Sequence, residues 1–166
     1  MHQDNPDMTT AIDLRSPRSW ITLGLFILVV VGVGGLIGTV SVPGPWYEGL
    51  VKPPFNPPNW VFGPVWTTLY VMIGIAGWRI WTLAPSSNAM KLWVAQLVAN
   101  WAWSPVWFVG QMLWPAFAII LVILALIIAF ILATWRTDRI SAWLFVPYAA
   151  WVGFASLLNL SIALLN

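Results

Sequence analysis

The sequence predicts an all-α integral membrane protein, folded as a five-transmembrane-helix bundle. Three observations carry this reading: five apolar runs of membrane-spanning length, a charged fraction of only 7%, and short polar connections between the last four runs. A soluble domain carries about 25% charged residues to face water. With 60% hydrophobic residues among 166 and a mean hydropathy of +0.84, this chain cannot build such a surface, and lipid must be its solvent.

Residues 1–18 form a polar tail of mixed charge, expected to be disordered and unlike a secretory signal, which needs a basic start and a small-residue cleavage site. Residues 19–166 make one membrane domain, with spans at about 20–42, 59–83, 89–109, 114–135 and 140–165. A loop over 43–58 holds Pro43, Pro45, Pro53, Pro54, Pro57 and Pro58. Proline fixes φ and biases the residue before it away from helix, so this loop is expected to be extended and stiff. The remaining connections are short, as antiparallel neighbours in a bundle require.

Cations report the orientation. Arg15, Arg18, Arg79, Lys91, Arg136 and Arg139 collect on the face that holds the N-terminus, whereas the other face has only Lys52. The bias places the N-terminus in the cytoplasm of a bacterial cell membrane; an outer-membrane location would revise it. Seven Lys and Arg are too few for a nucleic-acid footprint. The chain has no cysteine and its one histidine is His2 in the tail, so no metal site and no Ser–His–acid set is expected. Asp4, Asp7, Asp13, Glu48 and Asp138 all lie outside the spans, which argues against an ion-coupled pump.

Fourteen tryptophans remain to be explained. Tryptophan collects at membrane interfaces, where the ring is buried and the N–H stays wet. That belt accounts for Trp20, Trp78, Trp81, Trp93, Trp135 and Trp143 near span ends on the basic face, and for Trp114 at the start of the fourth span. Trp66, Trp103 and Trp151 lie too deep for a belt, while Trp46 and Trp60 flank the proline-rich loop. Trp101 and Trp107 fit either group. Gln96, Asn100, Trp103 and Trp107 share one helical face, as do Tyr148, Trp151, Ala155 and Asn159, and Trp66 and Tyr70 stand one turn apart. Amides in a span face the bundle interior, either as glue between helices or toward a ligand; Gln96 fits both roles and Asn100 leans to the ligand. Gly34, Gly35 and Gly38 allow close approach of a neighbouring helix, and Ala95, Ala99 and Ala102 form a small-residue stripe; each fits internal packing or a dimer seam, with internal packing favoured for the first span. The fourth span has no charge and reads as a lipid-facing wall.

These residues resemble the TspO/translocator-protein family of tryptophan-rich sensory proteins. The likeness rests on Trp46-Tyr47, on Lys52-Pro53-Pro54-Phe55-Asn56-Pro57-Pro58-Asn59-Trp60, and on Pro64-Val65-Trp66-Thr67-Thr68-Leu69-Tyr70. It continues at Gln96, at Asn100-Trp101-Ala102-Trp103-Ser104-Pro105, and at Pro147-Tyr148 with Trp151, Phe154, Ala155 and Asn159. The resemblance implies a homodimeric five-helix receptor or sensor for porphyrins such as protoporphyrin IX, with the porphyrin as ligand and no cofactor required. It places the ligand-binding site at Trp46, Trp60, Phe62, Trp66, Asn100, Trp103, Trp114, Trp151, Ala155 and Leu158, which moves Trp114 from belt to pocket wall. It also leaves open passive transport of porphyrin or lipid-like solutes, and light-dependent porphyrin degradation, in which Trp66 and Trp151 would be the catalytic pair. Phe55 and Asn59 depart from the family signature, and Ala118 stands where some relatives carry a carboxylate. The Tyr-then-Lys/Arg sterol motif is not found after Asn159, so sterol is expected to be a weak partner.

Overall fold

The computed structural model describes residue 12 and residues 14–166, so most of the polar tail predicted over 1–18, and the disorder expected there, lies outside the described residues. Among the described residues the chain forms six helices and no strand: α1 (Pro17–Val40), α2 (Pro45–Gly49), α3 (Phe62–Leu83), α4 (Asn88–Ser104), α5 (Leu113–Thr134) and α6 (Arg139–Leu165). Five of these fall on the five expected spans, and the sixth, α2, is a five-residue helix inside the proline-rich loop, too short to be a span. Proline is preorganised for the first helical position and needs no N–H there, so Pro45 starts a helical turn where an extended loop was expected.

Local chemistry sets the other boundaries. Pro17 opens α1 in the same way. A 3-10 turn, Asn59–Val61, leads into α3, and the Ser87 hydroxyl caps α4 by accepting from the Met90 N–H at 3.2 Å. Pro105 ends regular hydrogen bonding in α4, and the helix widens into a π turn, Pro105–Val109, closed by the Gly110 N–H on the Pro105 carbonyl at 2.8 Å. Pro147 sits inside α6, which continues through it.

Helices α1, α3 with its leading turn, α5 and α6 are long and apolar enough to cross a membrane. The chain is a multi-pass integral membrane protein. Around the bundle α1 packs on α3, α3 on α6, α6 on α5 and α5 on α4, and a sparser contact from α4 to α1 closes the ring.

Buried residues show what holds this ring together. Ala116, Ile120, Ile123, Ile127, Phe130 and Thr134 recur every three or four residues along α5 and face the core. The fourth span is therefore only half a lipid-facing wall: Leu121, Val122, Ile128 and Leu132 point outward, while the opposite stripe meets α4 and α6. Phe130 and Phe145 lie 4.0 Å apart between ring centroids, both fully buried.

Two tryptophans assigned to the belt are core instead. Trp78 and Trp93 are both buried, and the Trp93 indole donates to the Ile73 carbonyl at 2.9 Å. The reason is Gly77, where any Cβ would collide with the Trp93 ring; a glycine on α3 leaves the slot that the ring fills. Trp20, Trp81, Trp135 and Trp143 are exposed, as a belt requires. At the same end of the bundle Arg79 grips Asp138 through two hydrogen bonds of 2.8 and 2.7 Å, and Ser141 donates to the same carboxylate at 2.6 Å. Burial raises the Asp138 pKa, but the bonds from Arg79 and Ser141 outweigh it and hold the carboxyl below its ordinary value. Arg79, counted above as a topology cation, is thus also a tie between α3 and α6.

Candidate ligand-binding cavity

A cavity of about 420 Å³ lies inside the ring, at the end covered by the proline-rich loop. Its size falls in the range of roughly 300–1,000 Å³ typical of small-molecule sites. Among the described residues no Asp, Glu, Lys, Arg or His lines it, so its character comes from aromatic faces and neutral polar groups.

Each wall has a local cause. On α1 the lining face is Gly34, Gly35 and Gly38. A Cβ at Gly34 would run into the Tyr70 ring, so Gly34 lets α1 and α3 approach, whereas a Cβ at Gly35 or Gly38 would meet nothing within 4 Å. The glycine motif therefore serves internal packing at one position and keeps space open at the other two. On α3, Phe62, Trp66 and Tyr70 stand one turn apart and line one side. Trp66 packs against Tyr70 at 5.4 Å and edge-on to Tyr148 at 6.2 Å, while Phe62 meets Trp151 edge-on at 5.8 Å. On α4, Trp103 stacks on Trp107 at 5.7 Å with an interplanar angle of 13°. The Trp103 N–H donates to Asn159 at 3.3 Å, and Asn159 donates in turn to the Leu113 carbonyl at 3.1 Å, fixing α4, α5 and α6 at this level.

The floor is a hydrogen-bonded chain with one sense. The Tyr70 hydroxyl donates to Asn100 Oδ1 at 3.1 Å, and Asn100 Nδ2 donates to the Tyr148 hydroxyl at 3.0 Å. Tyr148 donates to Gln96 Oε1 at 3.0 Å, and Gln96 Nε2 donates to the Trp93 carbonyl at 2.9 Å. A carbonyl only accepts, so the last link orients every amide and hydroxyl before it. Gln96 is fully buried and does not line the cavity, which makes it glue between helices; Asn100 both lines the cavity and belongs to the chain.

The sequence-predicted site residues divide accordingly. The structure brings Phe62, Trp66, Asn100, Trp103, Trp151, Ala155 and Leu158 together around the cavity. It leaves three outside. Trp60 is 75% exposed on the turn before α3, Trp114 is 54% exposed with its ring against Phe117, and Trp46 packs edge-on against Trp107. Trp114 thus points away from the cavity from the first turn of α5, in keeping with the belt reading. Beside Trp46 it is Tyr47 that turns inward, buried with Phe108 at 5.5 Å, and burial pushes its hydroxyl pKa up. Tyr47, Asn56, Trp107 and Phe108 also line the cavity. Trp107 could be singled out from the polar face of the third span; Tyr47 and Asn56 sit in a loop with no periodicity to reveal their direction. The Trp151 N–H and the Ser41 hydroxyl are buried without a hydrogen-bond partner.

An all-helical bundle that encloses a neutral, tryptophan-walled chamber beneath a proline-rich loop defines a polytopic membrane protein with an internal ligand-sized site. The TspO/MBR family model matches residues 25–165. "Protein CrtK" of Rhodobacter capsulatus is 32% identical over 150 residues, covering 88% of this chain and 94% of that protein. The "Tryptophan-rich sensory protein" of Cereibacter sphaeroides is 35% identical over 144 residues, covering 87% and 91%. The "Translocator protein" of Ovis aries is 35% identical over 148 residues, covering 84% and 87%. The chain belongs to the TspO/MBR family.

Proposed function

We propose that the protein is a membrane receptor or sensor that binds porphyrin-like tetrapyrroles in this cavity. The observation that supports it is the set of aromatic faces from Phe62, Trp66, Trp103 and Trp151 around an uncharged space, which suits a large flat apolar ring. The chain crosses the membrane five times in this reading. The 17 residues of α4 and the five of the π turn run on without a break, about 33 Å at roughly 1.5 Å per residue, enough to span a core of about 30 Å. The N-terminus lies in the cytoplasm by the cation bias. A second copy pairs with the first, and Ala95 and Ala102 on the exposed side of α4 would allow close helix approach.

A titration tests the ligand. Protoporphyrin IX added to the purified protein should quench tryptophan fluorescence saturably. Replacing Trp66 and Trp151 together by Phe should weaken binding about tenfold or more, the loss expected when two stacking indoles shrink. Unchanged affinity in a folded double variant would remove the site from these residues.

A further inference from the structure

The roof of the cavity is the proline-rich loop: Pro43, Tyr47 and Asn56 line it, joined by Asn59 in the turn that follows. A loop with this many prolines has few N–H groups to offer, and its own backbone bonds are all local, from Glu48 to Gly44, Leu50 to Tyr47 and Asn56 to Pro53. Lys52 also turns back on its own loop, donating to the Glu48 and Leu50 carbonyls and lying over the Tyr47 ring. Among the described residues, apart from the Pro58 carbonyl, which accepts from the Val61 N–H in the turn directly after the loop, every hydrogen bond from residues 43–58 to the helical bundle is made by one side chain, Asn166.

The amide of Asn166 is fully used. Its Oδ1 accepts from the Val51 N–H at 3.0 Å, and its Nδ2 donates to the Val51 carbonyl at 3.1 Å. The second Nδ2 hydrogen goes to the Ile162 carbonyl at 2.9 Å, one turn back on α6. Because Nδ2 serves two carbonyls and Oδ1 serves an N–H, the amide has one orientation only. It pairs with both polar groups of Val51 as a neighbouring strand would, at the midpoint between Tyr47 and Phe55. Those two side chains hold the loop by apolar contact alone: Tyr47 against Phe108, and Phe55 against Phe154 at 6.4 Å.

The geometry points to Asn166 as the positioning residue of the roof: its amide latches the loop at Val51 and so sets the rate at which the cavity exchanges its contents with water. Neither Asn166 nor Val51 lines the cavity; of its partners only Ile162, held through its backbone carbonyl, belongs to a lining residue, so Asn166 acts through the loop. Opening the roof breaks two hydrogen bonds to Val51, whereas the ring contacts of Tyr47 can slide without loss of a polar partner.

The chain has no cysteine, so a single introduced thiol reports access cleanly. Ala155→Cys places that thiol on the cavity wall, and a charged methanethiosulfonate reagent, which cannot enter through lipid, reads the water route in full-length protein in liposomes. Adding Asn166→Ala should speed labelling at residue 155 about tenfold, the change expected from two net hydrogen bonds. Labelling of Ser86→Cys, in the exposed turn between α3 and α4, should not change. Asn166→Asp keeps an acceptor for the Val51 N–H but loses both donors, and should also label faster. An unchanged rate at residue 155 in both folded variants would overturn the latch, as would equal acceleration at residue 86, which marks general loosening. A second arm rests on the tetrapyrrole reading: protoporphyrin IX should associate and dissociate faster with Asn166→Ala, with Kd moving less than either rate. Failure of protoporphyrin IX to bind even the parent protein would remove that reading and leave the labelling result standing.

Discussion

Helices α1 and α5 are the two most apolar spans, with mean hydropathies of 2.5 and 3.4, yet they do opposite work. Along α5 a continuous stripe from Ala116 to Thr134 is buried; along α1 only Val30 and Gly34 are. The difference is side-chain size at the seam. In lipid, apolar residues gain little from leaving their solvent, so helices associate where surfaces interlock. Ile, Phe and Ala on α5 interlock with α4 and α6, and of that stripe only Ile120 and Ile123 also reach the cavity wall. Glycines on α1 allow one close contact, at Tyr70, and at Gly35 and Gly38 put no side chain into the cavity they line. Hydropathy finds both helices, but bulk along one face decides which becomes core and which becomes chamber.

The contrast can be broken most severely on α5. Phe130→Ala removes a fully buried ring packed at a tilt against Phe145, and should destabilise the protein by about 3 kcal/mol, toward the low end of the roughly 3–5 kcal/mol for large-to-small core changes, because the reference state is also apolar. Unfolding in detergent with added denaturant measures it; an unchanged midpoint would contradict the packing seen here. A smaller loss is expected on α1. Gly34→Val pushes its side chain into Tyr70 and should cost about 1–3 kcal/mol while displacing the head of the floor chain. Retention of full stability would show that α1 and α3 can separate freely. At the far end of the scale, Leu28→Ala changes a residue 66% exposed on α1, and its unfolding midpoint should stay within about 0.5 kcal/mol of the parent. A large loss there would reveal an unseen partner on that face.

Much of this architecture was legible in the sequence, because hydropathy runs and prolines act locally. Helix positions follow the apolar runs within a few residues, and Pro105 marks where α4 changes its winding. Trp66, Asn100, Trp103 and Trp151 could be chosen as cavity residues because their spacing puts them on inward faces beside other polar or aromatic groups. What could not be read was direction and depth where the chain lacks periodicity or where a partner helix intervenes. Trp78 and Trp93 look like interfacial residues by position, and only the slot at Gly77 on another helix explains why Trp93 is buried. Trp46 and Tyr47 are adjacent, and a single turn of α2 decides which of them enters the cavity. Trp60 and Trp114 belong to the right motifs but sit on first turns whose rotation faces them outward.

The backbone oxygen of Trp93 has a consequence far from its own position. It makes the floor chain vectorial: every proton in it is displaced toward α4's basic end, and no member can reverse without breaking that last bond. At the other terminus the Tyr70 oxygen has spent its hydrogen and keeps only lone pairs. A chamber without a formal charge therefore still has an electrical grain, with an electron-rich spot at its base.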